Sequence, residues 1–256
     1  MNDQPQTRNI KLVIAYRGSN YHGWQRQADG LPTVQEVIET AAARVLGERV
    51  SVNGASRTDA GVHAAGQVAS MKTANFAIPL ENLRRALDGK CPDDVAVRSA
   101  EEVATDFHAS RSAAGKTYRY RIHVAPAKPV MLSEQVCLCR PALDVERMRR
   151  AAVRLVGTHD FAGFASAADE RESTVRTLFR CDVGADGDEV RLRVTGDGFL
   201  YHMVRNIAGT LMEIGRGRWE PERIDEILSS GDRRRAGPTA PAEGLTLLCV
   251  HYGSSR

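Results

Sequence analysis

The feature that most constrains this chain is a hydrophobic period that switches between two and about 3.6 residues, runs through one cycle, and then starts again. Ile10, Leu12, Ile14 and Tyr16 alternate with Lys11, Val13, Ala15 and Arg17, the pattern of a half-buried strand. Val34, Val37, Ile38, Ala41, Ala42, Val45 and Leu46 then recur at helical spacing,. Thr33 with Glu36 reads as a capping box that opens this helix, and Gly47 ends it,. Val50 to Val52 and Gln67 to Met71 read as strands, Pro79 opens a second helix with Leu80, Leu83 and Leu87 inward, and Val95 to Val97 return to strand,. Strand, helix, strand, strand, helix, strand up to about Val103 is the ferredoxin-like order, a sheet with both helices on one face.

A crossing at Phe107-His108-Ala109-Ser110-Arg111 leads into the second cycle. Lys116 to Val124 alternates, with Tyr118, Tyr120, Ile122 and Val124 on one face. Asp144 caps a helix with Val145, Met148, Ala151, Ala152 and Leu155 inward, ended by Gly157 to Phe161,. Residues 162–174 read as a surface excursion. Strands from Val175 to Val183 and Glu189 to Thr195 flank a turn at 184–188, a helix opens near Gly198, Pro221 starts another, and Thr246 to Tyr252 closes the chain as a strand,. The expected organisation is α+β, with an N-terminal half at 1–108 and a C-terminal half at 109–256.

At 256 residues each half can bury its own core,. The formal charge of +3, from 35 basic and 32 acidic side chains, is too small for the whole-molecule field to hold a polyanion, so a local basic surface is needed,. Two candidates stand out: the helix face with Arg147, Arg149, Arg150 and Arg154, and the cluster Arg233-Arg234-Arg235. Either could track phosphates or simply be solvated. Five cysteines without a CxxC pair argue against a metal site, and Cys137 and Cys139 would share one face of a strand,. No apolar run is long enough for a bilayer, and Asn2 to Gln6 is no secretory signal, so a cytoplasmic location with no membrane partner is expected,.

The chemistry concentrates between two of these strands, in Gly54-Ala55-Ser56-Arg57-Thr58-Asp59-Ala60-Gly61-Val62-His63-Ala64. Asp59 falls on a tight connection at a sheet edge, where a rigid scaffold presents reactive groups. Asp before Ala-Gly is also an ordinary turn. The loop Tyr21 to Gln27 joins aromatic and basic residues, a composition that stacks on bases and pairs phosphates, or else packs its Trp24 beneath a loop,.

Read together, Arg57-Thr58-Asp59-Ala60-Gly61-Val62-His63-Ala64 and Gly66-Gln67-Val68 resemble the central motif of the TruA family of tRNA pseudouridine synthases. The resemblance extends through Gly23-Trp24-Gln25, Phe107-His108-Ala109, Lys116-Thr117-Tyr118-Arg119-Tyr120, His159-Asp160-Phe161, Gly198-Phe199-Leu200, His202-Met203-Val204-Arg205-Asn206 and Thr239-Ala240-Pro241-Ala242. Ser56 departs from the glycine many members carry. The resemblance implies the pseudouridine synthase fold, two ferredoxin-like halves joined in one continuous, mostly antiparallel sheet with helices packed on it. It implies a homodimer acting on tRNA without metal or organic cofactor, isomerising uridines at positions thirty-eight, thirty-nine and forty of the anticodon stem-loop. It also implies roles: Asp59 the essential catalytic aspartate, Arg205 its pairing arginine, Tyr118 packed on the target uracil, Leu245 on the pocket wall, and Arg57 in the space left by the extruded nucleotide.

Whether Asp59 attacks carbon or removes a ribose proton stays open. Two other classes compete. A non-catalytic RNA-binding sheet has no use for a carboxylate facing a phosphodiester chain, and an aspartate-dependent hydrolase needs metal ligands or a second acid near Asp59.

Overall fold

The period of two in the first strand reappears as burial: Ile10, Leu12, Ile14 and Tyr16 are inside, while Lys11, Val13 and Ala15 are partly exposed. The structure is a computed structural model that describes residues 6–28, 30–169 and 172–253. Residues 2–5 of the polar N-terminal stretch and 170–171 of the expected excursion lie outside the described residues.

In chain order the elements are β1 (Arg8–Tyr16), α1 (Val34–Leu46), β2 (Val52–Gly54), β3 (His63–Thr73), α2 (Leu80–Asp88), β4 (Val95–Val103), β5 (Ala113–Val124) and β6 (Cys137–Cys139). Then follow α3 (Val145–Val153), β7 (Gly157–Asp160), β8 (Val175–Asp186), β9 (Glu189–Gly196), α4 (Met203–Gly215), α5 (Arg223–Ser230) and β10 (Leu245–Tyr252). The chain packs as two units: the chain through Ala114 with the segment from Leu247 on, and Gly115–Thr246.

In the first unit β1 pairs antiparallel with β3 and β4, and β2 pairs antiparallel with β3. The order β4-β1-β3-β2 is that of a ferredoxin-like unit, and the segment of β10 from Leu247 on adds to β3,. Thr33 Oγ1 accepts the Glu36 N–H at 3.4 Å, and Gly47 ends α1 in the left-handed region at φ 74°, as the sequence pattern requires,. Leu83 and Leu87 of α2 are buried. At the expected crossing, Phe107 and Ala109 pack with Val13, Ala55, Val68 and Tyr252, and the Tyr252 hydroxyl donates to the Ala109 carbonyl at 2.7 Å.

In the second unit β5, β9, β8 and β7 follow one another antiparallel, and the short β6 runs parallel to β5. Taken as first, third and second strands, β5, β9 and β8 repeat the ferredoxin-like order, with β7 added outside. Tyr118, Tyr120 and Ile122 share the buried face of β5, and Cys137 and Cys139 share the buried face of β6. The Asp144 side chain accepts the Arg147 N–H at 3.0 Å, capping α3 as expected.

Two elements differ from the sequence expectation. The segment taken as a helix end forms β7, whose Gly-Thr-His-Asp has no apolar alternation to announce a strand. Helix α4 begins at Met203 and not near Gly198, because His202 holds φ at 62°, a left-handed conformation incompatible with helix continuation,.

Most arginines of the two basic clusters pair with acids of the chain. Arg147 pairs with Glu220 at 2.8 Å, Arg149 with Glu146, and Arg154 with Glu222 and Asp225. Three of these acids arrive from just before and within α5, about seventy positions away, so Arg147 and Arg154 sit in a long-range ion-pair network while Arg150 of the same face is exposed. In the second cluster Arg234 pairs with Asp232 and Arg235 with Glu226, while Arg233 turns inward.

Candidate active site

The β2–β3 connection is fixed from below by residues of the first strand and the loop after it. Asp59 and Val62 close a turn through the Val62 N–H to Asp59 carbonyl bond at 3.1 Å, with Gly61 at φ 80° in the third position, where a side chain would be strained,. The Gly61 N–H donates to the Tyr21 carbonyl at 3.3 Å, and the Trp24 N–H to the Thr58 carbonyl at 3.0 Å. Gly23 approaches so closely that a Cβ there would lie 2.5 Å from the Thr58 oxygen. Thr58 also meets the Tyr16 hydroxyl at 2.7 Å, and the Gly18 N–H donates to Nδ1 of buried His63 at 3.0 Å.

On the β3 side, the fully buried Gln67 holds both backbone groups of Ser56. Its Oε1 accepts the Ser56 N–H at 3.2 Å and its Nε2 donates to the Ser56 carbonyl at 2.6 Å. The backbone before Asp59 is therefore held from both sides. Asp59 itself is half-buried, and Arg57 is exposed and makes no ion pair or hydrogen bond among the described residues. Of the two readings of the loop Tyr21 to Gln27, packing holds for its rings: Trp24 is 1% exposed and Tyr21, also buried, donates its hydroxyl to Asp94 at 2.5 Å. Burial and the Asp94 carboxylate push the Tyr21 phenol well above its ordinary value.

The second unit carries Tyr118, Arg205 and Leu245. Tyr118 is buried on β5 and meets Phe199 edge-on at 5.0 Å between ring centres. Two residues on, the fully buried Tyr120 donates its hydroxyl to the Pro241 carbonyl at 2.8 Å. Burial raises the Tyr120 phenol far above its ordinary value, so it stays a neutral donor,. That bond anchors the turn at Ala242–Gly244 from which Leu245 enters β10, itself buried. Arg205 lies on the first turn of α4, half-buried, and donates Nε to the Ala240 carbonyl at 2.8 Å. Among the described residues no group of three or more His, Cys, Asp or Glu could hold a metal ion.

Residues 12–110 and 151–253 match the family model described as tRNA pseudouridine synthase. The chain belongs to the tRNA pseudouridine synthase family. It is 46% identical over 245 residues to the tRNA pseudouridine synthase A of Acetivibrio thermocellus, covering 96% of this chain and all of that one. It is 44% identical over 246 residues to the tRNA pseudouridine synthase A of Ruminiclostridium cellulolyticum, again over 96% of this chain and the whole relative. Within this tRNA pseudouridine synthase family member, the residues missed by sequence reasoning are the supports: Tyr16, Gly18, Gln67 and Tyr120. The period of two placed them on strands or at their ends, but only their hydrogen bonds show that they hold the Asp59 loop and the approach to Leu245.

Proposed function

We propose that this protein isomerises uridine to pseudouridine at positions thirty-eight, thirty-nine and forty in the anticodon stem-loop of tRNA, with Asp59 as the catalytic carboxylate. The observation that carries the reading is the bracing of the Asp59 turn by Tyr16, Gly23, Trp24 and Gln67. Such bracing lets a carboxylate meet a reacting sugar without reorganising at the moment of reaction. In the reaction the N1–C1′ bond breaks, the uracil turns, and C5 bonds to C1′ while C5 gives up its proton and N1 gains one. Asp59 either attacks a carbon or takes a ribose proton, and both roles need it ionised.

Arg205 is assigned as the guanidinium that pairs with the carboxylate and orients it. Tyr118 is assigned to the uracil face, Leu245 to the pocket wall and Arg57 to the space of the extruded nucleotide. The exposure of Arg57, unpaired among the described residues, supports its meeting an RNA, and the burial of Tyr118 and Leu245 supports an apolar enclosure for the ring. The halves 1–108 and 109–256 would carry, respectively, the catalytic loop and the remainder of the site. The same reading makes the protein a cytoplasmic homodimer whose partner is tRNA. No helix among the described residues is long and apolar enough to cross a membrane.

The test is tritium release from tRNA labelled at uridine C5. Asp59→Asn should abolish release while tRNA binding persists; release at the wild-type rate would remove Asp59 from the chemistry. A wild-type protein that binds tRNA and never releases tritium would favour a non-catalytic RNA binder.

A further inference from the structure

Asn206 follows Arg205 on α4 and is completely buried, with its amide engaged at both ends. Nδ2 donates to the Phe164 carbonyl at 2.7 Å, and Oδ1 accepts from Arg233 Nη2 at 2.9 Å and from the Thr239 hydroxyl at 2.7 Å. Arg233 also donates Nη2 to Thr239 Oγ1 at 3.1 Å and Nη1 to the Gly237 carbonyl at 2.8 Å. One turn along α4, Thr210 accepts the Gly237 N–H at 2.9 Å. The segment presses so closely on the helix that a Cβ on Gly209 would lie 1.8 Å from the Pro238 oxygen. The segment ends at Ala240, whose N–H donates to the Arg205 carbonyl at 3.1 Å and whose carbonyl accepts Arg205 Nε at 2.8 Å.

We infer that Arg233 and Thr239 are positioning residues: with Asn206 they strap residues 237–240 onto α4, and the strap sets the orientation of the Arg205 guanidinium. The inference rests on the role proposed for Arg205. Arg233 has no carboxylate partner among the described residues, and a half-buried cation held only by neutral acceptors is costly if all it does is join two segments,. Its planar fork accounts for the choice, since it reaches the Gly237 carbonyl with one nitrogen and Asn206 with Thr239 through the other, which a lysine cannot do. The strap gives the guanidinium of Arg205 a registered backbone acceptor at Nε, so its remaining N–H groups point in fixed directions.

The test uses the full chain with Thr239→Val, which removes the hydroxyl at nearly constant shape, and Thr239→Ser, which keeps it. The Nε–H resonance of Arg205, assigned by its loss in Arg205→Lys, reports the strap without reference to activity. Thr239→Val should speed exchange of that proton and slow single-turnover isomerisation at saturating tRNA, each by about tenfold, the equivalent of one lost hydrogen bond. Tm should fall by no more than a few degrees, tRNA affinity should stay near wild type, and Thr239→Ser should restore both readouts. Exchange unchanged in Thr239→Val would overturn the inference, as would a rate loss accounted for by weaker tRNA binding or by unfolding at the assay temperature. If Thr239→Val does not fold, Arg233→Gln is measured in the same way: faster exchange of the Arg205 proton supports the strap, and unchanged exchange overturns it. Should the wild-type protein not isomerise uridine, the proposed function falls, while the exchange measurement still decides the strap.

Discussion

The Tyr16 hydroxyl lies 2.7 Å from Oγ1 of Thr58, inside the protein, one residue before the half-buried Asp59. A strand side chain and a loop side chain thereby fix the backbone that presents the carboxylate. Tyr16→Phe deletes the bond and leaves the Thr58 hydroxyl short of a buried partner. The expected cost is about 1–2 kcal/mol of stability, read by urea denaturation. A fall in turnover of about tenfold should accompany it at unchanged tRNA affinity, because the fault lies in aiming Asp59 and not in holding RNA.

Gly23 makes the same point through sterics. Its φ of 91° is strained for any side chain, and a Cβ would come within 2.5 Å of the Thr58 carbonyl oxygen,. That oxygen accepts the Trp24 N–H, so the neighbour cannot yield without losing a bond. Gly23→Ala should cost more than about 2 kcal/mol and lower kcat further than Tyr16→Phe does. Thermal melting with steady-state kinetics would check it; an alanine variant as stable and active as wild type would show that the loop is not clamped here.

The elements that could be read from sequence are those whose signals are local. Alternation marked β1 and β5, Thr33 with Gly47 marked the ends of α1, and Asp144 marked the start of α3, because each depends on residues within a few positions. What could not be read depends on partners far along the chain. Arg147 and Arg154 could be read only as part of a basic helix face, because their partners Glu220, Glu222 and Asp225 lie about seventy residues on. Arg233 looked like one of three surface charges, although its acceptors at Asn206 and Gly237 make it a structural brace. Motif letters single out Asp59, but the bonds that brace its turn come from residues up to about forty positions away, and Trp24, in a loop whose composition suits bases, is buried in packing.

Glu189 gives the fold a pH dependence. Arg121 binds it in a fork, Nε to Oε1 at 2.9 Å and Nη2 to Oε2 at 2.7 Å, and Arg191 adds Nε to Oε1 at 2.6 Å. The hydrogen bonds from Arg121 above all, with those from Arg191, hold the carboxyl at about 2, against an ordinary 4.5. A carboxyl depressed in the folded state contributes stability above its unfolded value and loses it as pH falls from about 4.5 through about 2. The contribution at neutral pH is on the order of 3 kcal/mol. Glu189→Gln should destabilise the protein at pH 7 and flatten this part of the acid limb, measured by denaturant unfolding at stepped pH. A limb of unchanged steepness would assign the acid sensitivity to other carboxylates.

Arg119 sits on the same two strands in the opposite circumstance. It lies directly across from Arg193 on β9, with Arg121 facing Arg191 two positions along, and its Nε is buried without a hydrogen-bond partner among the described residues. Burial, with the fields of Arg121, Arg191 and Arg193 beyond what Glu189 offsets, lowers the pKa of this guanidinium below its ordinary value. Like charges facing each other across strands are destabilising, and an orphaned buried donor adds to the cost. Arg119→Met keeps the aliphatic stem and removes both faults, so it should stabilise the protein by about 1 kcal/mol. The increase should shrink at high salt, since the repulsive part is screened while the relief of the buried donor is not. A loss of stability at every ionic strength would mean that the stem and its charge contribute more to this face than the opposing arginines take away.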